Sequence, residues 1–154
     1  MKNKIYYICV LIISSIIVNC SSKSRMINNV SCKGLVNLQY DINKNGNGYP
    51  LANKNSNAFT VYFLNDFKDS IQGFVNNKLY YNKYLKLDGK SDNMKDYFGY
   101  NYSKDITTPI LKIESKSRNI CFDIEIHKKY KLIYVFLSED GKWTVRFSNL
   151  YYGR

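Results

Sequence analysis

The side chains in this sequence that are best suited to metal binding or catalysis occupy every second position of one short stretch. They are Cys121, Asp123, Glu125 and His127. The residues between them are apolar, namely Ile120, Phe122, Ile124 and Ile126. Because successive side chains of a β-strand point to opposite faces, the alternation predicts four polar groups on one face, with neighbours about 6.5–7 Å apart. Thiolate, imidazole and carboxylate are zinc ligands, and paired carboxylates are the catalytic groups of glycoside hydrolases.

The same stretch has a simpler interpretation as a solvated strand face. Its acids would then form ion pairs with basic residues across the sheet, such as Arg146 or Lys131. His127 is the only histidine, and the sequence has no Gly-x-Ser-x-Gly elbow, no phosphate-binding glycine loop and no His-Glu-x-x-His. We therefore predict a protein that is not an enzyme and that uses no metal and no cofactor.

The first twenty residues have a different pattern. Lys2 and Lys4 precede an almost entirely apolar run, residues 5–18, which Asn19 ends. Fourteen helical residues span only about 21 Å, whereas the hydrocarbon core of a bilayer is about 30 Å thick. A basic start followed by a short apolar run is typical of a secretory signal peptide rather than of a permanent transmembrane helix.

The end of this segment, Ile17, Val18, Asn19 and Cys20, resembles the lipobox of bacterial lipoproteins. The resemblance covers residues 1–20 alone. It implies a diacylglyceryl thioether on Cys20, cleavage before that residue, and attachment to membrane lipid through acyl chains. In two-membrane bacteria Ser21 would, by the same resemblance, favour the outer membrane, and the side of the membrane stays open.

The chain therefore divides into three parts. Residues 1–19 are the predicted signal peptide, residues 20–33 the lipidated cysteine with a polar tether, and residues 34–154 a single domain. Of the four cysteines, Cys32 and Cys121 remain as a pair in an oxidising compartment, where a disulfide between them is allowed. Two unpaired thiols are the alternative.

The mature chain would be strongly basic. Cleavage removes Lys2 and Lys4, so the 23 basic residues become 21 against 12 acidic ones, a net charge of 21 − 12 = +9. The basic residues are scattered and form no nucleic-acid-binding module, which argues against a nucleic-acid partner. Attraction to anionic lipid or anionic polysaccharide is a better use of the charge, and an envelope protein is the other class of partner.

The domain itself has an all-β pattern. Apolar or alternating runs predict strands over residues 36–40, 59–64, 71–75, 79–87, 110–113, 120–126, 131–137 and 143–148. Asn76-Asn77-Lys78 suits a tight hairpin turn because asparagine tolerates positive φ, and residues 138–141 predict a second turn. We predict a seven- to eight-stranded antiparallel β-sandwich of immunoglobulin-like type, with a small β-barrel as the alternative.

Aromatic residues are abundant and partly clustered. Residues 88–108 predict a polar loop that holds four of them, and two more lie close to the C-terminus. These six are the candidate partner surface: Tyr97, Phe98, Tyr100, Tyr102, Tyr151 and Tyr152. Tyrosine offers a flat ring and a hydroxyl, which suits contacts with sugars or proteins. The alternative is that the loop packs over an open edge of a sheet.

Three function classes remain for this sequence. The first is a membrane-anchored envelope lipoprotein that binds a protein or glycan partner through the loops of its β-sandwich, and this is our prediction. The second is a structural or assembly subunit of a surface complex. The third is an inhibitor or immunity protein that blocks a hydrolase reaching the envelope.

Overall fold

The structure is a computed structural model that describes residues 34–41, 49–50, 55–64, 67–87, 94–104 and 107–152. This described part consists of strands and turns and contains no helix. The strands are β1 (Val36–Tyr40), β2 (Tyr49–Pro50), β3 (Ala58–Phe63), β4 (Lys68–Val75), β5 (Lys78–Lys86), β6 (Tyr97–Asn101), β7 (Ile110–Ser115), β8 (Ile120–Glu125), β9 (Leu132–Leu137), β10 (Trp143–Ser148) and β11 (Leu150–Tyr151).

The long strands form two sheets. Five strands follow the order β1-β10-β9-β3-β6, and four follow the order β5-β4-β7-β8, while β11 and β2 form a short ribbon. Neighbouring strands are antiparallel with two exceptions, since β1 runs parallel to β10 and β3 runs parallel to β9. The sheets do not close into a barrel, so the predicted all-β sandwich is confirmed.

Two details of the prediction need correction. The five-stranded sheet contains both parallel and antiparallel strand pairs. The sequence predicts an immunoglobulin-like sandwich in which all pairs are antiparallel. Side-chain alternation identifies the face of a strand but not the direction of its neighbour, so the sequence pattern could not reveal the parallel pairs. The two sheets also hold nine described strands rather than seven or eight. The missed strand is β6, which pairs with β3 inside the segment that the sequence predicts as a loop.

Both predicted turns are confirmed. Asn76 and Asn77 connect β4 to β5 with φ values of 49° and 65°. Gly141 closes the turn before β10 with a φ of 80°, and its N–H donates to the carbonyl of Ser138 at 3.0 Å. These left-handed conformations suit asparagine and glycine, which explains why the two turns could be predicted locally.

The core lies between the two sheets, where alternate side chains of the long strands meet. On β10 the alternate residues Trp143, Val145 and Phe147 point into this core and are fully buried. Other large side chains that are fully buried in this core are Phe59, Phe63, Phe67, Phe122, Ile71, Leu85, Leu111, Ile113 and Ile126. Most of these residues belong to strands whose alternation is visible in the sequence.

The sandwich has two lateral sides, which we name by their edge strands. On the closed side, β5 and β6 face each other, and Tyr81 of β5 packs on Phe98 of β6 with ring centroids 5.6 Å apart. On the open side lie β1 and β8. There the N–H of Gly34, just before β1, donates to the carbonyl of Cys121 in β8 at 3.1 Å. A Cβ on Gly34 would lie 2.6 Å from that carbonyl oxygen, so the approach requires glycine.

Candidate functional site

One row of side chains crosses the outer face of the five-stranded sheet from edge to edge. The register places Tyr97 of β6 opposite Tyr62 of β3, and Tyr62 opposite Tyr134 of β9. The row continues with Arg146 of β10 and ends with Gln39 of β1. At about 4.8 Å between strands, these five positions span about 19 Å. We call these five residues the tyrosine row.

Strand alternation explains why the row points away from the core. In β3, Val61 and Phe63 are buried between the sheets, so Tyr62 between them faces outward. The register with Tyr62 directs Tyr134 outward from β9, and the alternation of β10 directs Arg146 outward. The row therefore results from five ordinary strands whose outward positions fall into register.

Neighbouring members of the row contact one another. The ring of Tyr62 lies 5.4 Å from that of Tyr97 and 5.7 Å from that of Tyr134, measured between centroids. At the other end, Arg146 donates from Nε and Nη2 to the Oε1 atom of Gln39 at 3.0 and 2.9 Å. Its guanidinium group also lies 5.7 Å from the ring centroid of Phe136. These contacts hold the planar groups in fixed positions along the row.

The C-terminal strand β11 packs against the middle of the row. The ring of Tyr151 lies 5.9 Å from that of Tyr62, and the ring of Tyr152 lies 5.5 Å from that of Tyr134. The hydroxyl of Tyr134 donates to the carbonyl of Leu150 at 2.8 Å. Tyr134 is therefore covered by the C-terminal strand, and this outward-facing residue is buried. The hydroxyl of Tyr152 donates to the carboxylate of Asp41 at 2.6 Å.

Three tyrosines of this face, Tyr62, Tyr134 and Tyr152, are held in their neutral form. Burial raises the pKa of Tyr62 above its usual value, and the neighbouring Tyr151 and Tyr97 add to the effect. Burial likewise raises the pKa of Tyr134 and that of Tyr152. Because the ordinary pKa of tyrosine is already about 10, these phenols are hydrogen-bonding groups and not charges at neutral pH.

Exposure differs along the face. Tyr97 is 55% exposed and Tyr152 is 37% exposed, whereas Tyr62 and Tyr151 are half-buried. Tyr97 and Tyr152 are thus the rings that a partner would reach without any rearrangement. The half-buried rings between them supply support and, at their edges, additional contact area.

The structure divides the six predicted surface aromatics into two groups. Tyr97, Tyr151 and Tyr152 come together at the tyrosine row. The prediction is wrong for Phe98 and Tyr102, which are buried in the core, because β6 turns these positions inward. Tyr100 also faces the inner side, where its ring contacts that of Phe59 at 5.6 Å.

Sequence reasoning missed two of the three tyrosines of the row, Tyr62 and Tyr134. The alternation in residues 58–63 already placed Tyr62 on the face opposite the core. Tyr134 lies in a run that is apolar on both faces, so its direction could not be read from the pattern. The register that joins the two strands is non-local and could not be read from either segment.

The polar stripe at residues 121–127 has the predicted alternation. Phe122 and Ile124 are buried, and the residues between them face outward. The residue opposite Asp123 is Lys112, so the expected pairing with Arg146 or Lys131 is wrong. Burial raises the pKa of Asp123, although Lys112 opposes that effect. Within the described ranges, no three His, Cys, Asp or Glu side chains lie close enough together to hold a metal ion.

Cys121 is disulfide-bonded. Its bonding partner lies outside the described residues, as do Cys20 and Cys32. The pairing of Cys121 with Cys32 therefore stays a prediction. It is supported by the hydrogen bond from Gly34, only two residues after Cys32, to the carbonyl of Cys121.

The predicted signal peptide, the lipidation site Cys20 and the tether all lie outside the described residues. Within the part of the chain that the structure describes, no helix has the length and apolar character required to cross a bilayer. No protein-family model, curated protein or solved structure matches this chain. A function is therefore inferred from the residues and geometry of the chain alone.

Proposed function

We propose that this chain is a lipid-anchored lipoprotein of the bacterial envelope, without enzymatic activity, whose domain binds a polysaccharide strand along the tyrosine row. The observation that carries the proposal is the register of Tyr97, Tyr62, Tyr134, Arg146 and Gln39 across five strands. The row spans about 19 Å, and Tyr151 and Tyr152 cover its middle, so a linear chain of several sugar rings would lie over Tyr97, Tyr151 and Tyr152.

The chemistry of the row suits a sugar polymer. A sugar ring presents C–H groups on its faces and hydroxyls around its edge. Tyrosine rings cover such faces, while phenol hydroxyls, an amide and a guanidinium group exchange hydrogen bonds with the edge. The neutral phenol of Tyr62 keeps both donor and acceptor capacity at neutral pH, whereas that of Tyr152, which donates to Asp41, keeps its acceptor capacity.

Charge favours an anionic polysaccharide. The full chain has a formal net charge of +11, and the row itself contains Arg146 but no acid. Asp41, an acid beside this face, already accepts a hydrogen bond from Tyr152. The competing hypothesis is a protein partner. A stable protein interface buries about 800 Å² on each partner and has an apolar centre. The two ends of the row are polar, which favours the sugar polymer.

The proposed anchor rests on the N-terminal sequence. A diacylglyceryl group on Cys20 would hold the chain to the membrane through two acyl chains, which anchor stably where a single chain binds only marginally. The tether would then separate the membrane from Gly34, where the described domain begins. We propose an outer-membrane location on the basis of Ser21 alone.

Binding is tested with the full chain in detergent against a panel of soluble acidic and neutral polysaccharides, by affinity electrophoresis and calorimetry. We expect Tyr97→Ala combined with Tyr152→Ala to weaken binding by about tenfold or more, because exposed aromatic anchors dominate recognition. Tyr84→Ala is the matched control, since Tyr84 is 57% exposed in β5 on the other sheet. Equal binding by both variants, or no binding to any polysaccharide by the parent chain, would refute the proposal.

The anchor is tested separately by the intact mass of protein extracted from membranes. We expect a chain that begins at Cys20 and carries acyl groups. Cys20→Ser should leave the domain folded and release it from the membrane. An unlipidated chain that retains Met1 would refute the anchor without affecting the polysaccharide test, because the row lies entirely within the described domain.

A further inference from the structure

The open side of the sandwich leaves inward-facing apolar side chains uncovered. Leu38 and Tyr40 of β1 point to the core side of their sheet, yet they are 42% and 38% exposed. Their register partners on β10, Val145 and Phe147, are fully buried. The exposed pair lines a groove of about 420 Å³, together with Ile124, Ile126, His127 and Lys128. The gap between β1 and β8 is therefore apolar at its floor.

The backbone of β1 offers hydrogen bonds toward this groove. The carbonyl of Leu35 accepts from the N–H of Trp143, and the N–H of Asp41 donates to the carbonyl of Phe147. Odd-numbered residues of β1 therefore bond to β10, and the backbone groups of Val36, Leu38 and Tyr40 point the other way. No described strand pairs with that edge of β1. An unpaired strand edge beside an apolar groove is the arrangement to which an extended peptide adds as a further strand.

The rim of the groove is basic. Residues 127–131 read His-Lys-Lys-Tyr-Lys, and Lys128 lines the groove. Lys128 and Lys129 lie over the rings of Tyr102 and Tyr130 at 5.4 and 4.9 Å from the centroids. Neither lysine forms an ion pair with a residue of the described part. Among the described lining residues the charges of Glu125 and Lys128 balance, and the adjacent Lys129, which lies over the ring of Tyr130, leaves an excess of positive charge at the rim.

The charge identifies what complements this groove. A second copy of a chain with a net charge of +11 would be repelled. The chain's own segments 1–33 and 42–48 contain no Asp or Glu, so they offer no acid to the basic rim. We propose that the groove binds an extended segment of another protein, which pairs with β1, inserts apolar side chains beside Leu38 and Tyr40, and places acidic side chains near Lys128 and Lys129.

The probe is a library of random peptides of about seven residues, displayed on phage and selected on the full chain in detergent. We expect the selected peptides to alternate apolar residues with Asp or Glu. Their affinity should fall about tenfold or more in the variant with Lys128→Glu and Lys129→Glu, because like charges would then meet. Leu38→Asp should weaken binding similarly, and Tyr84→Ala should not. Peptides N-methylated at alternate amides should lose binding, because they cannot pair with the edge of β1.

Several results would overturn the proposal. These are a selection that yields no peptide, selected peptides without enrichment in acidic residues, and affinity that the groove substitutions leave unchanged. A dimer that dissociates on Leu38→Asp would identify a second copy as the occupant instead. Because Lys128 and Lys129 are surface residues, their substitution separates loss of binding from loss of folding, which circular dichroism checks in parallel.

Discussion

The closed and open sides of this sandwich use similar strands but differ in how their edges meet. On the closed side, large rings from both edge strands interlock, with Tyr81 packed on Phe98, and Lys83 of β5 forms an ion pair with Asp96 beside β6. On the open side, described contacts between the edges include the hydrogen bond from Gly34 to Cys121 at one end. Beyond it, Leu38 and Tyr40 border a groove.

The comparison shows what closes the side of a sandwich. Aromatic side chains from both edges fill the space between the sheets, and a small residue allows them to approach. Gly73 of β4 serves this purpose, because a Cβ there would lie 2.8 Å from the ring of Phe98. On the open side Phe122 of β8 projects inward onto the ring of Trp143, whereas Ile124, farther along β8, is smaller and lines the groove with Leu38 and Tyr40. The difference in side-chain volume leaves an apolar gap that suits binding.

The largest expected effect contrasts one inward residue from each side. Phe98→Ala should lower the free energy of unfolding by about 3–5 kcal/mol, because it removes a buried ring from a packed core. Leu38→Ala should cost about 1 kcal/mol or less, because the side chain is already half exposed. Urea unfolding of both variants measures the difference. Equal losses of stability would show that the two sides are packed alike.

The disulfide should be the main constraint on the open side. Replacing Cys32 and Cys121 together by serine should lower the free energy of unfolding by about 2–5 kcal/mol, because the bond would close a long loop of the chain. Cys20→Ser is the control and should leave the stability of the domain unchanged. If reductant changes neither the mass nor the urea midpoint of the parent chain, the proposed pairing of Cys32 is wrong.

A pair of glycines tests the close approach on the closed side. Gly73→Ala should cost about 1–3 kcal/mol, because its Cβ would overlap the ring of Phe98. Gly99→Ala is the matched control in the neighbouring sheet, where the nearest atom to the new Cβ is 3.7 Å away. Thermal unfolding compares the two variants. A Gly73→Ala variant as stable as Gly99→Ala would show that Phe98 has room to move.

The smallest effect concerns Asp69, which connects β4 to the hairpin that ends in the open edge. Burial opposes its ionisation, but hydrogen bonds from Ser115, Ser117 and Ser70 outweigh burial and hold the pKa of Asp69 below its usual value. A lowered pKa stabilises the folded state above the unfolded-state pKa of about 3.9, and that contribution is lost as the pH falls through the folded-state pKa.

Asp69→Asn should therefore lower stability at neutral pH by about 1 kcal/mol and reduce the loss of stability on acidification. Urea unfolding of the parent chain and the variant across the acidic range measures both effects. Parallel pH profiles for the two proteins would show that the carboxylate of Asp69 does not contribute in this way.

How much the sequence reveals depends on whether a feature is local. The alternation of Trp143, Val145 and Phe147 predicted a strand with one buried face, and Asn76-Asn77 predicted a tight turn, because each depends on neighbouring residues. β6 was missed because polar residues and Gly99 obscure its alternation. It pairs with β3, whose residues are distant from β6 in the sequence, so no local pattern reveals the pairing.

The candidate site was only partly predictable for the same reason. Aromatic content singled out Tyr97, Tyr151 and Tyr152 before any register was known. Tyr62 and Tyr134 join them because β3 and β9 pair in parallel with these two residues opposite each other. Parallel pairing has no local sequence pattern, so the row becomes visible only in the folded sheet.

Amide hydrogen exchange in β1 of the full chain tests the central contrast most directly. The N–H of Asp41 is bonded to Phe147, whereas the N–H groups of Leu38 and Tyr40 point toward the groove. We predict slow exchange at Asp41 and fast exchange at Leu38 and Tyr40 in the protein alone. Protection of Leu38 and Tyr40 equal to that of Asp41 would contradict an open side, because another segment would then already occupy the edge of β1.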